Sequence, residues 1–226
     1  KYLNINSYNT IRSNGIIGIH SPRESFSTMK LKVGKKNLFD ELHNLSDLTK
    51  KFGENVKFRL DANGSMDLVQ AIRFCKEVEK YNIDYIEQPL SKDCLEDLAE
   101  LRNHTSIPIA VDESLTNIKS AEKIVEFQAA DVFIIKPTIT GRYNDIKNIL
   151  ELSISEDIRS IITSSLESNI GLSACIHIAA ALTIDEVCGF STFSLFDTSK
   201  DFPFKFDNGI IKLTNLYGLG MNSDVI

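Results

Sequence analysis

Charged residues recur at one kind of position along this chain. Lys30 and Lys32, then Asp61, Glu87, Asp112 and Lys136, each close a short run rich in β-branched or other apolar residues. If those runs are neighbouring parallel strands, their C-terminal ends converge on one mouth although the residues lie far apart in sequence. Three carboxylates meeting there repel one another unless a cation joins them. Carboxylate oxygens with open positions between them suit Mg²⁺, a hard ion that keeps water or accepts substrate oxygens. Asp61, Glu87 and Asp112 are therefore candidate metal ligands, although any one of them alone reads equally well as a salt-bridge partner or helix cap.

The lysines complete a chemistry. Lys30 and Lys32 lie two apart, so on a strand both point to the same face. Two crowded ammonium groups disfavour each other's charged form, and such crowding can draw a lysine from about 10.4 toward the 7–8 useful to a general base. Lys136 follows the apolar run Val132-Phe133-Ile134-Ile135 and precedes Pro137, which places it at an inward-facing strand end. A proton beside a carboxylate is barely acidic, because its removal leaves a dianion. A divalent ion stabilises that charge, and lysines on opposite sides of the mouth serve as base and electrostatic partner.

The elements that must position these residues alternate in type. Strands are expected over Thr28–Val33, Val56–Asp61, Tyr85–Glu87, Ile109–Asp112, Val132–Lys136, Ser160–Ser164 and, less clearly, Ser191–Leu195. Helical spacing of three and four links Leu68, Ile72, Cys75 and Val78, then Ala121, Ile124 and Val125, then Ile146, Ile149 and Leu150. Leu172, Cys175, Ile176 and Ala179 mark a further, small and apolar helix. A strand-helix unit of about 25 residues implies parallel strands joined by crossover helices. A doubly wound open sheet alternates in the same way. No GxGxxG or GxxxxGK[ST] loop follows any strand, so a parallel (β/α) barrel is the better reading of this α/β chain.

Three segments follow. Residues 1–27 form an incomplete N-terminal piece in which Gly15-Ile16-Ile17-Gly18-Ile19 suits a first barrel strand. The gap from there to the Lys30 strand is too short for an ordinary crossover helix, so the first βα unit is short or incomplete. Residues 28–200 make the barrel, and 201–226 an extended tail in which Phe202, Phe204 and Phe206 alternate.

Composition narrows the partners. With 226 residues, 42% hydrophobic and 25% charged, the chain is ordinary for a globular protein, and its net charge of −6 argues against nucleic acid. Cys75, Cys94, Cys175 and Cys188 show no paired or zinc-site spacing and read as buried thiols. No apolar run approaches the roughly 20 residues that span a bilayer, so a cytoplasmic enzyme acting on a small carboxylate is the expectation. His177 reads as a hydrogen-bonded core histidine; His20, His43 and His104 fall in loops or on a polar helix face, and Glu96–Glu100 on a solvated one.

Five runs carry a resemblance: Lys30-Leu31-Lys32-Val33-Gly34, Leu60-Asp61-Ala62-Asn63, Ile86-Glu87-Gln88-Pro89, Val111-Asp112-Glu113-Ser114 and Ile135-Lys136-Pro137-Thr138. Together they resemble the motifs of the enolase superfamily and, more narrowly, its muconate-lactonising branch. Thr138-Ile139-Thr140-Gly141, with the run from Thr163 to Leu172, is most similar to the o-succinylbenzoate synthases of menaquinone biosynthesis. The resemblance implies that Asp61, Glu87 and Asp112 bind Mg²⁺, that Lys32 takes the α-proton and returns it to a departing hydroxyl, and that Lys30 tunes Lys32. It implies that Lys136 stabilises the cyclic intermediate by charge or cation–π attraction. Ser164, Ser165 and Asn63 are substrate-binding candidates, and Asn63 and Glu113 are candidates to orient ligand or lysine. The implied reaction dehydrates 2-succinyl-6-hydroxy-2,4-cyclohexadiene-1-carboxylate to 2-succinylbenzoate through an enediolate. The chain departs from the superfamily pattern in having no evident α+β capping domain and a shortened first unit.

Other readings stay open. The same two lysines, acting from opposite faces, would make an N-acylamino acid racemase or dipeptide epimerase. Dipeptide epimerases commonly carry Asp-x-Asp at the eighth strand, where this chain reads Ser191-Thr192-Phe193-Ser194-Leu195-Phe196-Asp197. A Schiff-base lysine of the aldolase kind fits poorly beside three carboxylates. A truncated, non-catalytic barrel is the alternative outside catalysis. Oligomeric state is not legible.

Overall fold

A computed structural model describes residues 8–20, 25–192, 203–214 and 218–220. Seven parallel strands stand in sequence order in one sheet: β2 (Gly15–Ile16), β3 (Thr28–Lys32), β4 (Lys57–Asp61), β5 (Ile83–Glu87), β6 (Ile109–Val111), β7 (Val132–Ile135) and β8 (Arg159–Ile162). Right after most of them the apolar period changes from two to three or four and a helix returns the chain. These helices are α1 (Leu38–Phe52), α2 (Leu68–Val78), α3 (Leu95–Arg102), α4 (Ile118–Glu126), the short α5 (Pro137–Thr140) with α6 (Tyr143–Ser155), and α7 (Asn169–Ala181). Polar side chains cap several of them. The side chain of Asn37 caps α1, and reciprocal capping boxes pair Asp67 with Gln70 on α2 and Asn117 with Ser120 on α4.

The edges of the sheet are drawn together by a short segment rather than a full strand. Parallel bridges pair Thr163 with Gly189 and Cys188 with Ser13. Gly189 N–H donates to Ile162 O at 3.0 Å, and Cys188 N–H to Arg12 O at 2.8 Å. Glycine is required at the first of these contacts: a Cβ on Gly189 would stand 2.4 Å from Thr163 Oγ1. This corrects the expected strand at Ser191–Leu195. Ser191 and Thr192 lie in a 3₁₀ turn, Phe193–Leu195 fall outside the described residues, and the pairing position belongs to Cys188 and Gly189.

Both faces of the strands are buried, for different reasons. One face packs on the helices in the main core. The other carries a smaller apolar group, Tyr85, Ala110, Val132, Ile134 and Ile161. Arg59 shares that second face, being paired in register with Tyr85, and is itself buried. Its guanidinium donates to Asp84 Oδ2 at 2.8 Å, Asn14 Oδ1 at 3.2 Å and Val187 O at 2.6 Å, and lies 4.9 Å from the Tyr85 ring centre. Arg159 continues the network to Asp84 at 3.0 Å and Glu186 at 2.8 Å. This polar plug sits below the charged strand ends.

The first unit is short, as its length implies: β2 pairs with β3 in parallel, and residues 17–20 form a turn. The tail differs from expectation. β9 (Lys205–Asp207) and β10 (Ile210–Lys212) form an antiparallel hairpin that adds β1 (Thr10–Arg12) as a third strand. Asn208 and Gly209 turn it with φ of 48° and 76°, the left-handed pair a two-residue hairpin loop needs. Phe204 is buried and Phe206 half-buried there; Phe202 lies outside the described residues. All four cysteines are free, and no helix among the described residues is long and apolar enough to cross a membrane.

Candidate active site

Strand register assembles the site. Lys32 stands opposite Asp61, and Asp61 opposite Glu87. Glu87 pairs with Ala110, so Asp112, two residues on, shares its face; Lys136, two beyond Ile134, shares it again. Lys30 lies two residues before Lys32 on the same side. All six charged strand ends therefore come to one end of the sheet.

The ion pairs there are close. Lys30 Nζ lies 2.7 Å from Glu87 Oε1 and 2.9 Å from Asp61 Oδ2. Lys32 Nζ stands 3.6 Å from Asp61 Oδ2 and also donates to Asn63 Oδ1. Lys136 pairs with Asp112 Oδ2. Asn63, at a left-handed φ of 47°, receives Lys32 on its oxygen and donates from its amide nitrogen to Glu113 Oε1 at 3.0 Å. Asn63 and Glu113 thus orient the Lys32 amine.

Electrostatics separate the two paired lysines. Lys30 does not follow the expectation that crowding lowers a lysine. Burial acts in that direction, but the charges of Glu87 and Asp61 overcome it and hold Lys30 above the ordinary lysine value. Lys32 is far more open to solvent, its side chain 60% exposed against 23% for Lys30. For Asp61, burial is outweighed by Lys30 and Lys32, which keep its carboxyl below the usual range. Glu87 behaves oppositely. Complete burial, reinforced by the charges of Asp61 and Asp112 and opposed by Lys30, raises it to about 7.

Whether these residues suit a divalent cation can be tested on their own contacts. Among the described residues, no three His, Cys, Asp or Glu side chains form a ready-made cage, and the ammonium groups of Lys30 and Lys136 lie on the carboxylates. Yet Glu87 Oε2 is buried and has no hydrogen-bond partner. A buried carboxylate oxygen left unpaired is costly, and the charges of two further carboxylates reach it. A cation bound by Asp61, Glu87 and Asp112 would satisfy that oxygen and relieve the mutual repulsion. The donor set, all hard oxygen, fits Mg²⁺.

Other residues settle differently. Ser164 is buried, its hydroxyl donating to Gly189 O at 3.1 Å and sharing a 2.7 Å bond with Thr192 Oγ1, so it serves the joint between sheet edges. Ser165 is exposed, and its backbone N–H donates to Glu167 Oε1 at 2.7 Å. Glu167 also accepts from Thr138 Oγ1 at 3.0 Å, joining α5 to the loop after β8. The sequence reading passed over Glu167 and Gln88; the second is fully buried between Glu87 and Asp112, and its place in the Ile86-Glu87-Gln88-Pro89 run was the available signal. His177 packs edge-on against Phe204, with Nε2 buried and unpartnered.

Comparison with known proteins gives a consistent picture. The family model described as enolase C-terminal domain-like matches residues 20–225. The L-amino acid-D/L-Glu epimerase of Francisella philomiragia subsp. philomiragia is 31% identical over 202 residues, covering 88% of this chain and 56% of that protein. The o-succinylbenzoate synthase of Thermobifida fusca is 28% identical over 172 residues, covering 75% and 53%. The chain spans about half the length of these curated relatives. Among solved structures, a dipeptide epimerase from Cytophaga hutchinsonii complexed with Mg and dipeptide D-Ala-L-Val superposes with a TM-score of 0.84 at 25% identity, over 95% of this chain and 62% of that one.

Proposed function

Because the chain belongs to the enolase C-terminal domain-like family, we propose that it carries the catalytic half of an enzyme that removes the proton α to a substrate carboxylate. The single observation that carries this reading is Glu87 Oε2, a buried and partnerless carboxylate oxygen flanked by Asp61 and Asp112. Those three residues would hold Mg²⁺, which supplies positive charge where the substrate becomes more anionic. A Mg-bound epimerase of similar fold supports the choice of ion.

The chain's own residues divide the remaining work. Lys32, the more exposed amine, is fixed through Asn63 and Glu113 and takes the α-proton. Lys30, held protonated against Asp61 and Glu87, keeps positive charge beside it. Lys136, on the far side at the end of β7, faces the opposite flank of the substrate. In the reaction we favour, Lys32 abstracts the C1 proton of 2-succinyl-6-hydroxy-2,4-cyclohexadiene-1-carboxylate and returns it to the leaving C6 hydroxyl. Water departs, 2-succinylbenzoate forms, and Lys136 contributes charge only. Closure of the seven strands through Gly189 into a (β/α) barrel belongs to the same reading.

A second reaction has specific support. Relatives of comparable identity are epimerases, for which Lys136 would act as a second base delivering the proton to the opposite face. Against a dipeptide with a free amine stands the run from Ser191 to Asp197, which contains no Asp-x-Asp; among the described residues there, Ser191 and Thr192 offer hydroxyls committed to Asn14 O and Ser164 Oγ. A substrate without a free ammonium group fits that end better. The test is a paired assay on the chain with Mg²⁺: ultraviolet detection of 2-succinylbenzoate beside α-proton exchange of N-acylamino acids and dipeptides in D₂O. Dehydration abolished by EDTA and restored by Mg²⁺ is the expected result. Exchange without dehydration shifts the assignment to epimerase, and EDTA-insensitive turnover of either substrate refutes the metal-assisted mechanism.

A further inference from the structure

Gln88 follows Glu87 directly, yet none of its polar atoms points to chemistry. It is fully buried and holds a left-handed φ of 40°, which costs strain in a residue with a Cβ. Strain of that kind persists where surrounding bonds over-determine it, and here they do. The side-chain oxygen of Gln88 accepts from Asp112 N–H at 3.0 Å and from Ser114 N–H at 3.2 Å. Its amide nitrogen donates to Leu90 O at 3.0 Å and Ser114 Oγ at 2.9 Å. Its backbone N–H donates to Ala110 O at 2.7 Å, and its carbonyl accepts from Gly64 N–H at 2.7 Å.

These six bonds reach the ends of β4, β5 and β6, the three strands that present Asp61, Glu87 and Asp112. One bond lands on the backbone of Asp112 itself. Asp112 stands one residue beyond the end of β6, so strand pairing does not fix it, and Gln88 takes over where the ladder stops.

We propose that Gln88 is a positioning residue that sets the separation of Asp112 from Glu87 and thereby the affinity of the carboxylate trio for its divalent cation. The inference rests on the proposed metal site. Outer-shell partners of this kind typically change metal affinity by about 10–100-fold. The accepting oxygen is the essential feature, since it alone holds the Asp112 and Ser114 amides.

The probe is Mn²⁺ alone, titrated into the 226-residue chain and followed by electron paramagnetic resonance, with apo-protein melting measured in parallel. Gln88→Met, of similar length but without the amide, is expected to bind Mn²⁺ at least about tenfold more weakly. If Gln88→Met does not fold, Gln88→Asn, which keeps the amide but shortens its reach, carries the same expectation. Ser153→Ala removes a buried 2.7 Å bond to Ser160 at the opposite end of the strands and serves as the stability control. The inference is overturned if the methionine or asparagine variant binds within about threefold of wild type, or if Ser153→Ala weakens binding as much. A wild-type chain that takes up no Mn²⁺ removes the metal site itself, and this inference with it; that result is distinct from equal binding by wild type and variants.

Discussion

Lys32 and Lys136 are not equivalent side chains. The first is oriented by an amide and a carboxylate, and the second is tied to one proposed metal ligand. Removing either amine should lower turnover by about 10²–10⁴-fold, the usual contribution of general acid–base groups, while Lys32→Ala and Lys136→Ala keep a wild-type far-ultraviolet circular dichroism spectrum. Full activity in either variant contradicts the assignment. His177 makes a separate prediction. Burial lowers its pKa, against a hydrogen bond to the Leu219 backbone, so the unfolded chain binds the proton more readily than the folded one. Its contribution to stability is therefore complete above 6.5 and is lost as the pH falls through the lower, folded value. His177→Phe should lose less Tm than wild type between pH 7 and pH 5 in matched thermal melts; an equal loss rules His177 out as a contributor. The charged strand ends were legible in the sequence because each closes an apolar run, and period-two alternation says which face they share. Arg59 was not, and Gln88 only as a member of the Ile86-Glu87-Gln88-Pro89 run, because a buried polar residue is recognised by its partners, and those lie at Asp84, Val187, Asp112 and Ser114, remote in sequence.

At the level of elements, the sheet is held at its lower end by the ion network and at its upper end by whatever neutralises the carboxylates. Arg59 raises the issue most sharply. Burial disfavours its charge, and Tyr85 and Asp84 compensate, while Arg59 and Arg159 together keep Asp84 ionised below its ordinary pKa despite burial. Breaking one partner of a buried pair typically costs roughly 3–5 kcal/mol; as Asp84 retains Arg159, the lower end of that range applies. Arg59→Met should therefore lower Tm by about 6–12 °C, and the double variant Arg59→Met/Asp84→Leu should recover part of the loss. A single variant as stable as wild type would show that the network contributes nothing. Most strands and helices followed from periodicity alone. The eighth pairing position was misread because Cys188-Gly189 is two residues long and carries no alternation, whereas Ser191–Leu195 alternates in sequence. The β9–β10 hairpin was also missed, although Asn208-Gly209 is the strongest short-range hairpin signal available and should have been read.

For the molecule as a whole, a net charge of −6 contrasts with the local positive charge at the strand ends: two lysines on β3 and one after β7, to which the proposed mechanism adds the cation that three carboxylates would recruit. Family membership and the sheet order agree with that arrangement. The most direct check is a crystal of the chain soaked in Mn²⁺ and measured at the manganese absorption edge. The account predicts one strong anomalous peak bonded to oxygens of Asp61, Glu87 and Asp112, with Lys30 and Lys136 withdrawn from the oxygens they now hold. A map without a peak among those carboxylates, with Lys30 still bridging Asp61 and Glu87, would contradict it.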